Sequence, residues 1–225
     1  MFILPWARMS TNWIKSGILK DNFTSNVDLA EKISALKIYL IFCIKSSCFD
    51  EGVFSCSITY DKLMELASIS RSSVSKGLKL LTKIGLISCL GIRSKKYVVP
   101  NLYRSGWCKI PVKGFMKDDK NIDSFRMFHN RYPHELNAIK LYLYFLSIRN
   151  NDEFGSEVSF RKITAKTGVK FSEIKPALGF MSVIGLLDSK HIILPESNSI
   201  SKYDVVFRYY LSNNKNLVKP DKVFR

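Results

Sequence analysis

Acidic side chains are scarce in this sequence, and from residue 66 to residue 117 they are missing altogether. In all, 19 Asp and Glu stand against 35 Lys and Arg, a formal net charge of +16. That imbalance disfavours cationic partners and favours polyanions, nucleic acid first and an anionic membrane surface second. Long apolar runs are lacking too. The longest, Ile38 to Ile44, stops at Lys45, well short of the roughly 18 residues that a membrane span needs, so no crossing of a bilayer is expected. The opening residues, MFILPWARMS, place no basic segment ahead of their apolar residues and no small-residue cleavage site after them. They do not read as a secretory signal, and the expected compartment is the cytoplasm, on the nucleoid when bound.

The motifs of common catalytic scaffolds are absent as well. The sequence contains no GxGxxG, no GxxxxGKS/T, no GxSxG and no HExxH, which removes the usual frames for nucleotide, serine-hydrolase and zinc-protease chemistry. The five cysteines (Cys43, Cys48, Cys56, Cys89, Cys108) form no CxxC pair, and the three histidines (His129, His134, His191) stand at no metal-ligand spacing. Reduced cysteines in packing roles are expected, with no metal, no cofactor and no enzymatic activity. His134 follows Pro133 and reads as a helix-start residue rather than as the base for a cysteine nucleophile.

What is present is a chain written twice. Ala35-Leu-Lys-Ile-Tyr-Leu-Ile-Phe42 returns as Ala138-Ile-Lys-Leu-Tyr-Leu-Tyr-Phe145, an offset of 103. Downstream the offset is 100, where Ile58 to Leu63 matches Val158 to Ile163 and Ile84-Gly-Leu-Ile87 matches Ile184-Gly-Leu-Leu187. The three-residue difference belongs in a loop, at Ser46 to Gly52 in the first copy and Asn150 to Gly155 in the second. A weaker echo sets Ile3-Leu-Pro5 beside Lys109-Ile-Pro111. The length suits two domains of about 100 residues, predicted as 1–105 and 106–225 with a boundary near Val99-Pro100-Asn101.

Within the first copy, Asp28 to Ser46 is apolar on most faces and predicts a long buried helix. Thr59 offers an N-cap to a helix through Leu63, Leu66 and Ala67, and Ser70 caps a second helix starting at Arg71. Val74, Leu78 and Leu81 give that helix its apolar side, and Gly85 is a natural stop. Two short apolar strands, Leu86 to Leu90 and Lys96 to Val99, then flank a basic turn containing Gly91. The segment from Thr59 to Val99 resembles the winged helix-turn-helix family found in bacterial transcription regulators and plasmid replication initiators. The resemblance covers Asp28 to Val99 and, more loosely, His134 to about Tyr210. It implies an α+β, mainly helical protein of two tandem winged helix-turn-helix domains related by an internal repeat.

Around the second helix, Ser72, Lys76, Lys79 and Lys83 fall on one stripe opposite Val74. Such a helix fits the major groove of B-DNA, where Lys or Arg donates to guanine and Ser pairs with several base edges. The resemblance implies that Ser70, Arg71, Ser72, Ser73, Ser75, Lys76, Lys79 and Lys83 form the recognition segment, with Arg71, Ser72, Ser73 and Lys76 nearest the bases. It further implies that Arg93, Lys95 and Lys96 on the wing hold phosphates or enter the minor groove. A lysine stripe is commonly just a solvated face. The count between residues 66 and 117 decides against that here, because eleven basic residues occur there without one acid.

The second copy departs from the pattern. Its recognition segment offers Lys170, Ser172 and Lys175 to DNA but includes Glu173, which would repel phosphate, and Pro176, which is tolerated if Ser172 is the N-cap. Either this domain is a second DNA contact or it has become a dimerisation or partner-binding module. Seven aromatic residues in it, among them Tyr142, Phe145, Phe160 and Phe171, are expected in the core. The leading expectation is a sequence-specific double-stranded-DNA-binding transcriptional regulator. The alternative is a replication initiator of a plasmid, phage or integrated element that binds origin repeats, and a third reading is an adaptor with a basic docking surface. The basic helix and wing predict that duplex affinity falls steeply with salt, by about 0.9 log units per neutralised phosphate per log unit of salt. Titration between 50 and 200 mM salt, on the order of the range usually used, checks this, and a flat response counts against DNA as the partner.

Overall fold

The structure, a computed structural model, describes residues 5–49, 53–91, 95–100, 102, 106–116, 121–151, 155–193 and 204–212. Its first half runs β1 (Trp6–Ser10), α1 (Asn12–Lys15), α2 (Ile18–Asn22), the long α3 (Leu29–Lys45), β2 (Ser47–Phe49) and β3 (Val53–Ser57). Then come α4 (Tyr60–Ala67), α5 (Arg71–Lys83), β4 (Ser88–Leu90) and β5 (Lys96–Val98). The second half runs β6 (Trp107–Pro111), α6 (Val112–Phe115), α7 (Asp123–Arg126), α8 (Pro133–Ile148), β7 (Gly155–Ser159) and α9 (Phe160–Thr167). It closes with α10 (Phe171–Val183), β8 (Leu187–Ile193) and β9 (Val206–Leu211). Apart from β2, the two halves present the same elements in the same order. The fold is α+β, with helices outweighing strands.

Local chemistry accounts for the helix ends. Thr59 Oγ1 accepts from the Lys62 N–H at 3.2 Å, Ser70 Oγ from Ser73 at 3.3 Å and Ser159 Oγ from Lys162 at 3.4 Å. Ser68 and Gly168, repeat mates, both turn the chain in the left-handed region after α4 and α9. Glu135 is fully buried and accepts from the backbone N–H groups of His129, Arg131 and Tyr132, which fixes the entry to α8. Burial alone would raise its pKa, but the three N–H donors hold it below the usual carboxylate range.

Three sheets result. β2-β3-β5-β4 covers the first half, β7-β9-β8 the second, and β1 pairs with β6. The extra residues of the first copy, expected as loop, supply the edge strand β2, which pairs antiparallel with β3. The expectation of buried cysteines holds for Cys43, Cys56 and Cys108 only. Cys48 and Cys89 are exposed because they lie on β2 and β4, the two edge strands of their sheet.

The halves dock reciprocally. In the β1–β6 ribbon Trp6 pairs with Pro111, Arg8 with Lys109 and Ser10 with Trp107, so an offset of 101 makes Arg8 and Lys109 both partners and repeat mates. Trp13 packs on Phe23 and Tyr39, and Phe115 packs on Phe125 and Tyr142, equivalent triads in the two halves. α2 lies against α9, and its mate α7 lies against α4. Such mutual exchange of partners is the signature of a two-fold relation, here inside one chain. Lys37 of α3 and Lys140 of α8, also mates, are buried. Lys37 Nζ donates to the carbonyls of Ala67 and Phe125, both at 3.1 Å, and Lys140 Nζ donates to the carbonyl of Phe23 at 2.6 Å.

Contacts therefore cross the predicted boundary at 105/106. A fragment ending there would leave β1 without its partner strand and Lys37 without the Phe125 carbonyl. The buried apolar residues of both halves form one continuous core.

Burial lowers the pKa of Lys37 to about 7 against the raising influence of Glu135. Burial lowers that of Lys140 to about 8, with Glu173 raising it and Lys32 lowering it further. In the unfolded chain both lysines stay protonated to about pH 10, so from pH 7 upward their contribution makes stability rise with pH, until the buried thiols, whose pKa values burial raises, begin to oppose it near the ordinary thiol pKa of about 8.5. Between pH 7 and about 8, below that thiol pKa, the denaturant midpoint should climb by the equivalent of about 1 kcal/mol. Lys37→Met should flatten that climb, and an unchanged slope would mean that Lys37 does not titrate with folding.

Candidate nucleic-acid interface

α5 is shaped by a close approach to α3. A Cβ at Gly77 would lie 2.9 Å from Ile38 Cδ1 and 3.0 Å from the Ala35 backbone N, so only glycine lets the helices meet at this distance. Val74, Gly77, Leu78 and Leu81 are buried on that side. Opposite them Ser72, Ser75, Lys76, Lys79 and Lys83 are all exposed, and Ser73 is half-buried with its hydroxyl 3.0 Å from Ser70 Oγ. The predicted stripe is therefore one continuous surface of hydroxyls followed by ammonium groups, running from the capped N-terminus to the last turn.

Arg71 leaves that stripe. Its Nη1 lies 3.0 Å from Asp61 Oδ1, and its guanidinium carbon lies 5.3 Å from the centre of the Tyr60 ring. Lys95, exposed at the entry to β5, reaches the same ring with Nζ 5.6 Å from its centre. Lys96, half-buried, pairs with Leu90 of β4 and with Ser57 of β3. Arg93 lies outside the described residues. Tyr60 was not among the expected site residues; its place at the first turn of α4, beside a cap rather than on α5, gave it no signal.

In the second half the equivalent surface is different. Lys170 is the N-cap of α10 and Ser172 lies within the first turn, contrary to the expectation that Ser172 caps it. The helix begins earlier because Phe171 packs edge-on to Phe160 with ring centres 5.2 Å apart. Pro176 consequently sits inside the helix, where it removes one backbone donor. Glu173 does not face outward as a free charge. Half-buried, it accepts from Asn137 Nδ2 of α8 at 3.1 Å. Ser172 and Lys175 are exposed, next to the uncharged Pro176 and Gly179. The groove-facing candidates of the two halves thus occupy equivalent positions, with cations concentrated on α5.

The fold has a counterpart among solved structures. This chain is similar in fold to a Pi initiator protein. That protein was solved in complex with iteron DNA; the likeness has a TM-score of 0.53, covers 94% of this chain and 99% of that one, and comes with 11% sequence identity. At such identity the likeness is one of fold. No family description and no curated protein matches the sequence. Among the described residues no helix is long and apolar enough to cross a membrane, and no group of three His, Cys, Asp or Glu is arranged to hold a metal.

The exposed α5 stripe predicts that Lys76→Ala weakens binding to a selected duplex by about 1 to 3 kcal/mol more than binding to random duplex. Parallel titrations of the two duplexes at one salt concentration measure the difference. An equal loss on both would remove Lys76 from the bases and leave it a phosphate contact.

Proposed function

We propose that the protein is a replication initiator that binds repeated sites in double-stranded DNA through two winged helix-turn-helix units. Its work is binding and positioning rather than catalysis. The observation that carries the proposal is the likeness in fold, over nearly the whole of both chains, to an initiator whose own ligand is iteron DNA. The cationic face of α5 supports the same reading independently, since a major groove accepts a helix bearing hydroxyls and ammonium groups on one side. α4 and α5 supply the helix-turn-helix of the first unit and β4–β5 its wing. α9, α10 and β8–β9 are the corresponding parts of the second. Transcriptional regulation, the leading expectation from sequence alone, is the weaker reading because it has no counterpart in the fold comparison.

Selection of bound duplexes from a random library, followed by mapping of occupied sites on the DNA of the source, tests this. Clusters of similar sites in one orientation beside AT-rich DNA are expected. Isolated sites upstream of genes would overturn initiation in favour of regulation. Failure to retain any duplex at low salt would leave the basic surface as a docking face for an acidic partner.

A further inference from the structure

At the start of α4 the first half holds a cleft of about 550 Å³, lined by Ser57, Thr59, Tyr60, Arg71, Lys95 and Tyr97. Arg71 and Lys95 stand over the same Tyr60 ring, two like charges directed at one space. Asp61 is the acid that answers them, 83% exposed and 3.0 Å from Arg71. An exposed pair of this kind contributes little to stability.

The second half shows the same place built from apolar rings. At the offset of 100, Tyr60 corresponds to Phe160 and Arg71 to Phe171. Across the wing, Tyr97 stacks on Phe42 as Tyr209 stacks on Phe145, which aligns Lys95 with Phe207. The three positions that are Tyr, Arg and Lys in one unit are three phenylalanines in the other. Those rings close on one another, Phe160 with Phe171 at 5.2 Å and Phe160 with Phe207 at 4.9 Å between centres. The fold therefore accepts an apolar plug here, and packing does not require the two cations. An anion does.

We propose that the Tyr60–Arg71–Lys95 cleft is a clamp for one backbone phosphate of the bound duplex, present in the first unit and absent from the second. The assignment rests on the reading of the protein as a duplex-DNA binder. Arg71 is the first residue of α5 and Lys95 enters β5, so one phosphate held between them ties the start of the recognition helix to the wing. That contact sets the depth at which Lys76 and Lys79 enter the groove while carrying no sequence information itself. Arg71, expected from the family resemblance to read bases, becomes a positioning contact. Asp61 occupies Arg71 in the free protein and gives way to the phosphate.

The test uses the full chain, a selected duplex and a salt titration. The double variant Arg71→Ala/Lys95→Ala should lose about one unit of the slope of log K against log salt and keep the same preferred sequence. Arg71→Lys should retain the slope. Asp61→Asn should bind more tightly than the parent at every salt concentration. Both clamp cations are exposed, so unfolding midpoints should stay near the parent value and report that affinity, not folding, has changed. Binding by the parent with an unaltered slope in the double variant overturns the clamp and leaves the proposed function standing. A changed sequence preference in Arg71→Ala also overturns it. A parent that binds no duplex at low salt overturns both.

Discussion

Two buried lysine side chains bridge the halves of this molecule, and burying them constrains how the halves can dock. An ammonium taken out of water without partners costs several kcal/mol, so a lysine in an apolar helix must find acceptors. Lys37 and Lys140 find theirs across the interface, in the carbonyls of Phe125 and Phe23. Each half thus supplies a group that the other half must satisfy. With the β1–β6 ribbon and the contacts of α2 with α9 and of α7 with α4, this ties the two repeats to each other rather than leaving each to fold alone. The spacing between α5 and α10 is then a property of the core and does not depend on a linker.

On that nearly symmetric frame the surfaces diverge. Gly77 lets α5 press against α3, whereas its mate Ala177 fills the same position in α10 with a methyl group. The α5 face carries Lys76, Lys79 and Lys83; the α10 face carries Lys175 beside Pro176 and Gly179, and its one acid, Glu173, is bonded to Asn137. The cation-lined cleft at Tyr60 has become a cluster of phenylalanines at Phe160. The same backbone is retained where it packs, and the chemistry differs where it meets solvent.

Much of this was legible in the sequence, for physical reasons that vary by element. Thr59 and Ser70 announced their caps because a hydroxyl before an apolar repeat has one economical use, and the structure places both as read. The long helices followed from runs such as Ala35 to Phe42, and that run already held Lys37, whose depth has no signature in one sequence. The start of the repeat is less legible: Ile3 and Leu4 of its weaker echo lie outside the described residues, and the strands that pair are Trp6–Ser10 and Trp107–Pro111. A five-residue strand in a two-stranded ribbon has too little periodicity to reveal its register. Ser172 was misread as a cap because cap preference is local, whereas the start of α10 follows from the distant packing of Phe171 on Phe160. The basic face was legible as a charge pattern on α5, but the place of Tyr60 was not, since it meets Arg71 and Lys95 only where the chain entering β5 comes back to α4.

The pairing of a two-fold frame with unequal faces has a consequence for how DNA would be met. A symmetric dimer presents identical recognition helices and is matched to a palindrome, which has no direction. A single chain with two docked repeats presents instead a strongly cationic α5 and an α10 whose one lysine is balanced by one acid. Reversing such a molecule on its site exchanges the two faces, and the difference in phosphate contacts makes one orientation the better. Sites repeated in the same direction would therefore be occupied by molecules that all point the same way, each offering the same face to its neighbour. Directional occupancy of this kind would fit the proposed initiator, and it would follow from the asymmetry of the surfaces on a frame whose halves Lys37 and Lys140 bridge.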